Sequence, residues 1–372
     1  MKQLLRSLSF LFFLTNIFGN TPSPTFLQTW ISTFPFQGSV LDRSFWQQSS
    51  NDFLTKNPQL RWKLISGKGY DKVVSPIDLH STPIWRTIPF DLQIRFVGTG
   101  RIKDIQINFW NQGDAMSHGS TESEKKAFSM IKHFLAECQT NGFTPTEKKQ
   151  KFSSKIKIKS TEVIFQNCLL EIHAEPHQYV IVTLKPFVQG PILNAVQQKI
   201  QSSQQINETK EKEELRETLA QNISKHPNGD IVVESIPMIN QGEKGYCVPA
   251  TCARILQYYG FDTNEHILAE LMGTKASGGT SIQSLQVNLK KLTSGLPVYV
   301  KEIPFSFSRV ERYVSRGYPL IWLIPSHCRL IIGVNPKTKE ILYSDSWGTR
   351  GIENRMSAKK AEALTLLLAL LK

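Results

Sequence analysis

The sequence predicts an α+β protein of two globular units, and three observations predict it. Strand-like and helix-like segments alternate irregularly through the first half, which is the order of an α+β domain and not of a repeating βαβ array. A stretch dominated by Gln, Glu, Lys and Asn interrupts the chain after residue 190. Beyond it, one buried-helix pattern is followed by short apolar runs separated by turn residues. At 372 residues, with 40% apolar and 10% aromatic side chains, the chain can fill two cores and does not have the composition of a disordered protein.

The N-terminus carries a separate signal. Lys2 and Arg6 precede an apolar run, Leu8–Phe18, that closes on Gly19-Asn20 and Pro22. A basic start, a short apolar run and a small residue after it make a secretory signal over residues 1–19. The run is shorter than the ~20 apolar residues of a membrane helix, and no later stretch reaches that length. The expectation is therefore an exported protein (periplasmic, cell-surface or secreted) with no transmembrane span once the signal is removed.

Residues 21–190 form the expected first domain, of mixed α+β type. Its first part holds few periodic segments but many aromatics, among them Trp30, Trp46, Trp62 and Trp85. Asp91–Val97 and Ile102–Trp110 read as strands around the Gly98-Thr99-Gly100 turn. A third glycine and a following helix are missing there, so this is a hairpin turn and not a nucleotide-binding loop. Ser120–Cys138 reads as a helix, from Phe128, Ile131 and Phe134-Leu135. Thr161–Ile172 and Gln178–Pro186 read as further strands. Residues 191–230 are expected to be a polar helical or flexible linker, and 231–372 the second domain.

The formal charge of +13 favours anionic surfaces such as an envelope, or acidic substrates. The cluster Lys148, Lys149, Lys151, Lys155, Lys157 and Lys159 alternates with Ile156 and Ile158, which is a strand with a solvated lysine face. No nucleic-acid motif, no Walker loop and no need for a cofactor or metal emerges. Five cysteines, Cys138, Cys168, Cys247, Cys252 and Cys328, leave at least one thiol free.

The chemistry concentrates in Gln241-Gly-Glu-Lys-Gly-Tyr-Cys247-Val-Pro-Ala250. Gly245 permits a tight turn and Pro249 suits a first helical turn. Val248, Cys252, Ile255, Leu256 and Tyr259 then make one buried stripe, closed by Gly260. Cys247 thus stands at a helix N-terminus, where the positive end of the helix favours a thiolate, the nucleophilic form. A nucleophile of this kind needs a base and a group to orient the base. Two histidines lie downstream. His266 falls inside a helix expected over Asn264–Met272 and reads as a core or surface residue. His327 precedes the apolar strand Leu330–Val334, the turn Asn335–Thr338 and a return strand Glu340–Asp345, a hairpin that can bring Asp345 beside His327.

These residues resemble the papain clan of cysteine peptidases. Gln241-x5-Cys247 is similar to the clan's oxyanion glutamine and nucleophile, and Asp345-Ser346-Trp347-Gly348 to its Asn-Ser-Trp-Gly, with Asp for Asn. A closer resemblance is to the bacteriocin-leader-processing, double-glycine peptidases and their exported relatives. It rests on Cys247-Val-Pro-Ala250, Gly279-Thr280, Gly317-Tyr-Pro319, His327 and Asp345, and covers about Gln241 to Leu371. It implies a papain-like domain in which a helix carrying the Cys packs on an antiparallel sheet carrying His and Asp. It further implies Cys247 as nucleophile, His327 as base, Asp345 as its orienter, and Gln241 with the Cys247 N–H as the oxyanion cradle. Val248 stands where those relatives carry glycine. The sequence shows no ATP-binding cassette or membrane spans of the exporter-fused members, so a double-glycine leader is not implied as substrate. The reaction expected is peptide-bond hydrolysis of a peptide or protein. A thiol-dependent amidase or acyltransferase, and an inactive binding protein, are the alternatives.

Overall fold

The computed structural model describes residues 24–59, 61–64, 72–76, 83–97, 100–112, 120–151, 153, 156–187, 219–242, 245–261, 263–275, 278–296, 298–348, 353–362 and 366–371. Residues 1–19, expected as a secretory signal, Gly98-Thr99 of the expected hairpin turn and residues 191–218 of the polar stretch lie outside these.

In chain order the first half holds helices α1 (Pro24–Ile31), α2 (Arg43–Trp46) and α3 (Ser50–Lys56), then strands β1 (Trp62–Leu64), β2 (Lys72–Pro76), β3 (Asp91–Phe96) and β4 (Ile102–Asn111). Helix α4 (Ser120–Thr140) follows, then β5 (Thr146–Lys151), β6 (Lys157–Phe165), β7 (Cys168–Glu175) and β8 (Tyr179–Pro186). All pair antiparallel, in the order β1-β2-β3-β4-β8-β7-β6-β5. One face is closed by α4 and by the aromatic residues of the first helices. Trp85 stacks on Phe134 of α4 at 4.8 Å, and Trp30 meets Phe134 edge-on at 4.8 Å. The early aromatics are therefore core residues, and ring packing substitutes there for the periodicity that the sequence lacks.

Two expectations for this half need correction. The strand read over Thr161–Ile172 is two strands, because Gln166 adopts a positive φ of 39° and turns the chain so that Phe165 pairs with Cys168. The lysine-rich strand is likewise the β5–β6 hairpin, with Lys148, Lys149, Lys157 and Lys159 all exposed at the sheet edge. Charged edge strands of this kind resist pairing with other chains.

The second half contains β9 (Ile223–Lys225), β10 (Ile231–Val233), α5 (Cys247–Tyr258), α6 (Glu265–Leu271), α7 (Ile282–Leu292) and β11 (Tyr299–Ile303). Then come α8 (Phe307–Val314), β12 (Leu320–Ile324), β13 (His327–Asn335), β14 (Glu340–Ser344), β15 (Asn354–Ser357), α9 (Ala358–Glu362) and β16 (Leu366–Leu371). Its sheet runs β11-β16-β12-β13-β10-β9, with β14 on the other edge of β13 and β15 beyond it. Helix α5 packs on β13. The chain is thus mixed α+β, with a papain-like helix-on-sheet arrangement in its C-terminal part.

The stretch expected as linker to residue 230 already belongs to this second unit. Ile223–Lys225 pairs with β10, and Leu219 is 1% exposed within the second core. Its polar composition hid three short anchoring residues. Farther on, β10 lies so close to β13 that a Cβ on Gly333 would stand 2.9 Å from the Ile231 carbonyl oxygen. Only glycine fits there.

Candidate active site

Cys247 opens α5, with Tyr246 as a helix N-cap that offers no side-chain hydrogen bond. The residues behind it bury as the stripe requires: Val248, Cys252, Ile255 and Leu256 all lie in the core. Cys247 itself is partly accessible, whereas Cys138, Cys168, Cys252 and Cys328 are buried and all five thiols are free. The loop before it runs close to Gly279, whose added Cβ, at φ +63°, would stand 3.4 Å from the Gly245 carbonyl oxygen.

His327 is the first residue of β13. The two-residue turn Pro325-Ser326, with Ser326 at φ 59°, pairs Ile324 with His327 and sets the imidazole at the end of the sheet. The β13–β14 register pairs Leu330 with Ser344, so the residue after β14, Asp345, falls beside the start of β13. His327 Nε2 donates to Asp345 Oδ1 at 2.6 Å. Cys247 lies near enough to this ring to act, with Asp345, on its protonation. Burial works to lower the His327 pKa. The hydrogen bonds to Asp345 and Cys247, and the charges of those groups, overcome it and raise the value to about 9.

Gln241, expected in the oxyanion cradle, is 4% exposed. Its backbone N–H donates to the Ser346 carbonyl at 2.8 Å, tying it to the segment that carries Asp345. Its side-chain Oε1 is buried without a hydrogen-bond partner among the described residues. Gly242 follows at φ 64° and donates to Asn240 Oδ1 at 3.1 Å. His266, by contrast, is 2% exposed and its Nε2 stands 3.3 Å from Asn108 Nδ2 of the first domain, not from the Cys247–His327 pair.

Several residues of the site escaped the sequence reading. Arg329 Nε donates to Asp345 Oδ1 at 3.0 Å. Strand alternation puts Arg329 on the same face as His327, two residues on, and that was the available signal. The exposed Trp347 ring stacks on the imidazole at a centroid distance of 5.8 Å and 27°. Arg254, two turns along α5 from Cys247, is buried and binds the Pro237 carbonyl at 2.8 Å and Ser344 Oγ at 2.7 Å. It thus clamps the helix carrying the thiol to the strand leading to Asp345. Nothing in its helical spacing marked that role. Among the described residues, no His/Cys/Asp/Glu group could hold a metal ion, and no helix is long and apolar enough to cross a membrane.

Residues 233–365 match the model of the Peptidase_C39 like family. Among solved structures, the chain is similar to a double glycine motif protease from an AMS/PCAT transporter in complex with the leader peptide. That similarity has 16% identity and a TM-score of 0.29, and covers 37% of this chain and 93% of that one. No curated protein matches the chain.

Proposed function

Starting from residues 233–365 as a Peptidase_C39-like segment, we propose that this protein is a cysteine peptidase that hydrolyses peptide bonds through a thioester acyl-enzyme. The observation that carries the reading is the imidazole of His327, bonded through Nε2 to Asp345 at 2.6 Å and raised in pKa by Asp345 and Cys247 together. Asp345 fixes which nitrogen faces the thiol and favours the imidazolium.

His327, its pKa raised to about 9, carries the proton that the thiol gives up as it attacks. The sulfur attacks the scissile carbonyl carbon, and the carbonyl oxygen becomes an oxyanion. The Gln241 side-chain amide and the Cys247 backbone N–H are the donors assigned to that oxygen. As the tetrahedral species collapses, the C–N bond breaks and imidazolium gives its proton to the leaving amine. His327, now neutral, takes a proton from water as that water attacks the thioester. The C–S bond breaks, the acid is released, and the Cys247–His327 pair is restored. His327 is thus an acid in acylation and a base in deacylation, a fuller role than that of base alone.

Export belongs to the same proposal and is supported by Lys2, Arg6 and the run Leu8–Phe18. An excess of 44 basic over 31 acidic residues suits work at an anionic envelope surface. The test is cleavage-site profiling of a proteome-derived peptide library with wild type, Cys247→Ala and His327→Ala. New termini should accumulate with wild type alone. A wild-type protein whose Cys247 alkylates readily but which cuts no peptide would turn the reading toward an amidase or acyltransferase.

A further inference from the structure

The first domain meets the catalytic unit immediately behind the nucleophile. Neighbouring strands β4 and β8 present Asn108, Tyr179 and Ile181 to helix α6. Tyr179 and Ile181 pack with Ile267 in a small buried cluster, joined by Ile158 and Leu271. Two polar contacts cross the same boundary. Asn108 Nδ2 lies 3.3 Å from His266 Nε2, and the Tyr179 hydroxyl donates to Glu270 Oε2 at 2.7 Å.

The contacts converge on Tyr246. The His266 ring meets the Tyr246 ring edge-on at 5.7 Å and 63°. Burial, and then Glu270, push the pKa of the Tyr179 hydroxyl up, which keeps it a donor to Glu270. Tyr246 is 2% exposed, its carbonyl accepts from Ala250 N at 2.9 Å, and the next residue is Cys247. The Tyr246 cap brings no side-chain hydrogen bond to the helix, and packing around its ring contributes to its position. The units also meet away from α6, where Ser153 Oγ donates to the Lys291 carbonyl at 2.9 Å and Ile156 packs on the second core. A cleft of ~680 Å³ lies between Arg95, Lys103 and Lys185 on one side and Met238, Gln257 and Phe261 on the other. The contacts that lead to Tyr246 are those at α6. Among the described residues, none of the hydrogen bonds or ring contacts made by Gln241, His327, Asp345 or Trp347 reaches the first domain.

We propose that the first domain is a positioning platform for the nucleophile: Tyr179 through Glu270 docks α6, and Asn108 holds His266 of that helix against Tyr246, so fixing where Cys247 stands relative to His327. The inference rests on the peptidase reading above and gives the first domain a supporting role. Asn108 and His266 act through Tyr246, Tyr179 acts through α6, and all three are positioning residues. Small displacements of a nucleophile are expensive, and a misplacement of about 1 Å can cost ~10²-fold.

The experiment compares full-length wild type, Tyr179→Phe, Asn108→Ala, their double variant, His266→Ala and His266→Gln. Iodoacetamide labelling of Cys247 is followed by mass spectrometry, with turnover of a cleavable peptide and the melting temperature read in parallel. Tyr179→Phe keeps the ring in its apolar cluster, so that variant folds even if others are weakened. The double variant should lose at least about tenfold in Cys247 alkylation rate and in kcat, with KM little changed. His266→Gln, which keeps a polar atom toward Asn108, should recover more of both rates than His266→Ala. A double variant that melts lower but labels and turns over within about twofold of wild type would make the contact merely structural and overturn the proposal. A wild-type Cys247 no faster than Cys252 or Cys328 would instead overturn the peptidase reading, and the platform with it.

Discussion

Arg329 donates from Nε to the same Asp345 oxygen, Oδ1, that receives the His327 proton, at 3.0 Å against 2.6 Å. The carboxylate is thereby fixed from two sides. The guanidinium is itself held over the rings of Tyr343 and Trp322, at 4.6 and 5.5 Å. Orientation of the imidazole is thus a property of the β13–β14 hairpin as a whole.

Replacing Arg329 by Gln should lower kcat by about tenfold, because a bond to a charged group is worth ~1.5–3 kcal/mol and part of it is spent on holding Asp345 in line. The sign of the pH effect is the sharper test. Removing a cation beside Asp345 leaves the carboxylate free to stabilise imidazolium alone, so the alkaline limb of the rate profile should move to higher pH. A limb that stays where it is in wild type would detach Arg329 from the histidine.

The raised His327 pKa has consequences for both rate and stability. Its folded value of about 9 lies above the ordinary value of 6.5. The stabilisation is therefore fully present below about pH 6.5 and is lost as pH rises through about 9. Thermal melts of wild type and His327→Gln should differ most at pH 6 and converge by about pH 10. Cys247 alkylation should be slower in His327→Gln than in wild type, because the group that takes the thiol proton is gone.

Brief treatment with iodoacetamide at pH 6 should mark Cys247 and no other cysteine. Burial pushes the Cys138 thiol up to about 12 and raises Cys168, Cys252 and Cys328 as well. Peptide mapping by mass spectrometry decides it. Early label on Cys252 or Cys328 would mean that the packing of α5 on β13 opens in solution.

What could be read from the sequence follows from how local each signal is. The thiol, the glycine before it and the stripe behind it lie within one helix, so Cys247 was legible. His327 and Asp345 were legible because a single hairpin joins them. Arg254 and Ser344 meet across 90 residues at 2.7 Å, and no spacing rule reaches that far. The aromatic first third resisted reading for another reason. Trp30, Trp85 and Phe134 satisfy one another as rings, so helices and strands there carry no clean amphipathic period. His266 was read as a core or surface residue, and its burial does make it one. What composition could not convey is that its neighbours are Asn108 and Tyr246.

Gln241 gives the most discriminating mutation, because a functional and a structural role predict opposite signs in stability. Its backbone is fixed by the bond from its N–H to the Ser346 carbonyl, which any residue can make. Its side chain is buried, and Oε1 is left without a protein partner among the described residues. An unpaired buried polar atom costs about 1–3 kcal/mol, a cost that selection for stability alone would remove. Gln241→Ala should therefore leave the melting temperature unchanged or raise it slightly. If its amide is the oxyanion donor, the same change should reduce kcat by ~10²–10³, with KM nearly constant, because the lost bond forms mainly in the transition state. Iodoacetamide should still label Cys247 at the wild-type rate, since His327 and the helix end are untouched. Gln241→Glu separates charge from size: it keeps the shape but presents a carboxylate to the developing oxyanion, and should be slower than Gln241→Ala. A Gln241→Ala enzyme that melts several degrees lower and turns over within about twofold of wild type would make the residue a packing element of its loop.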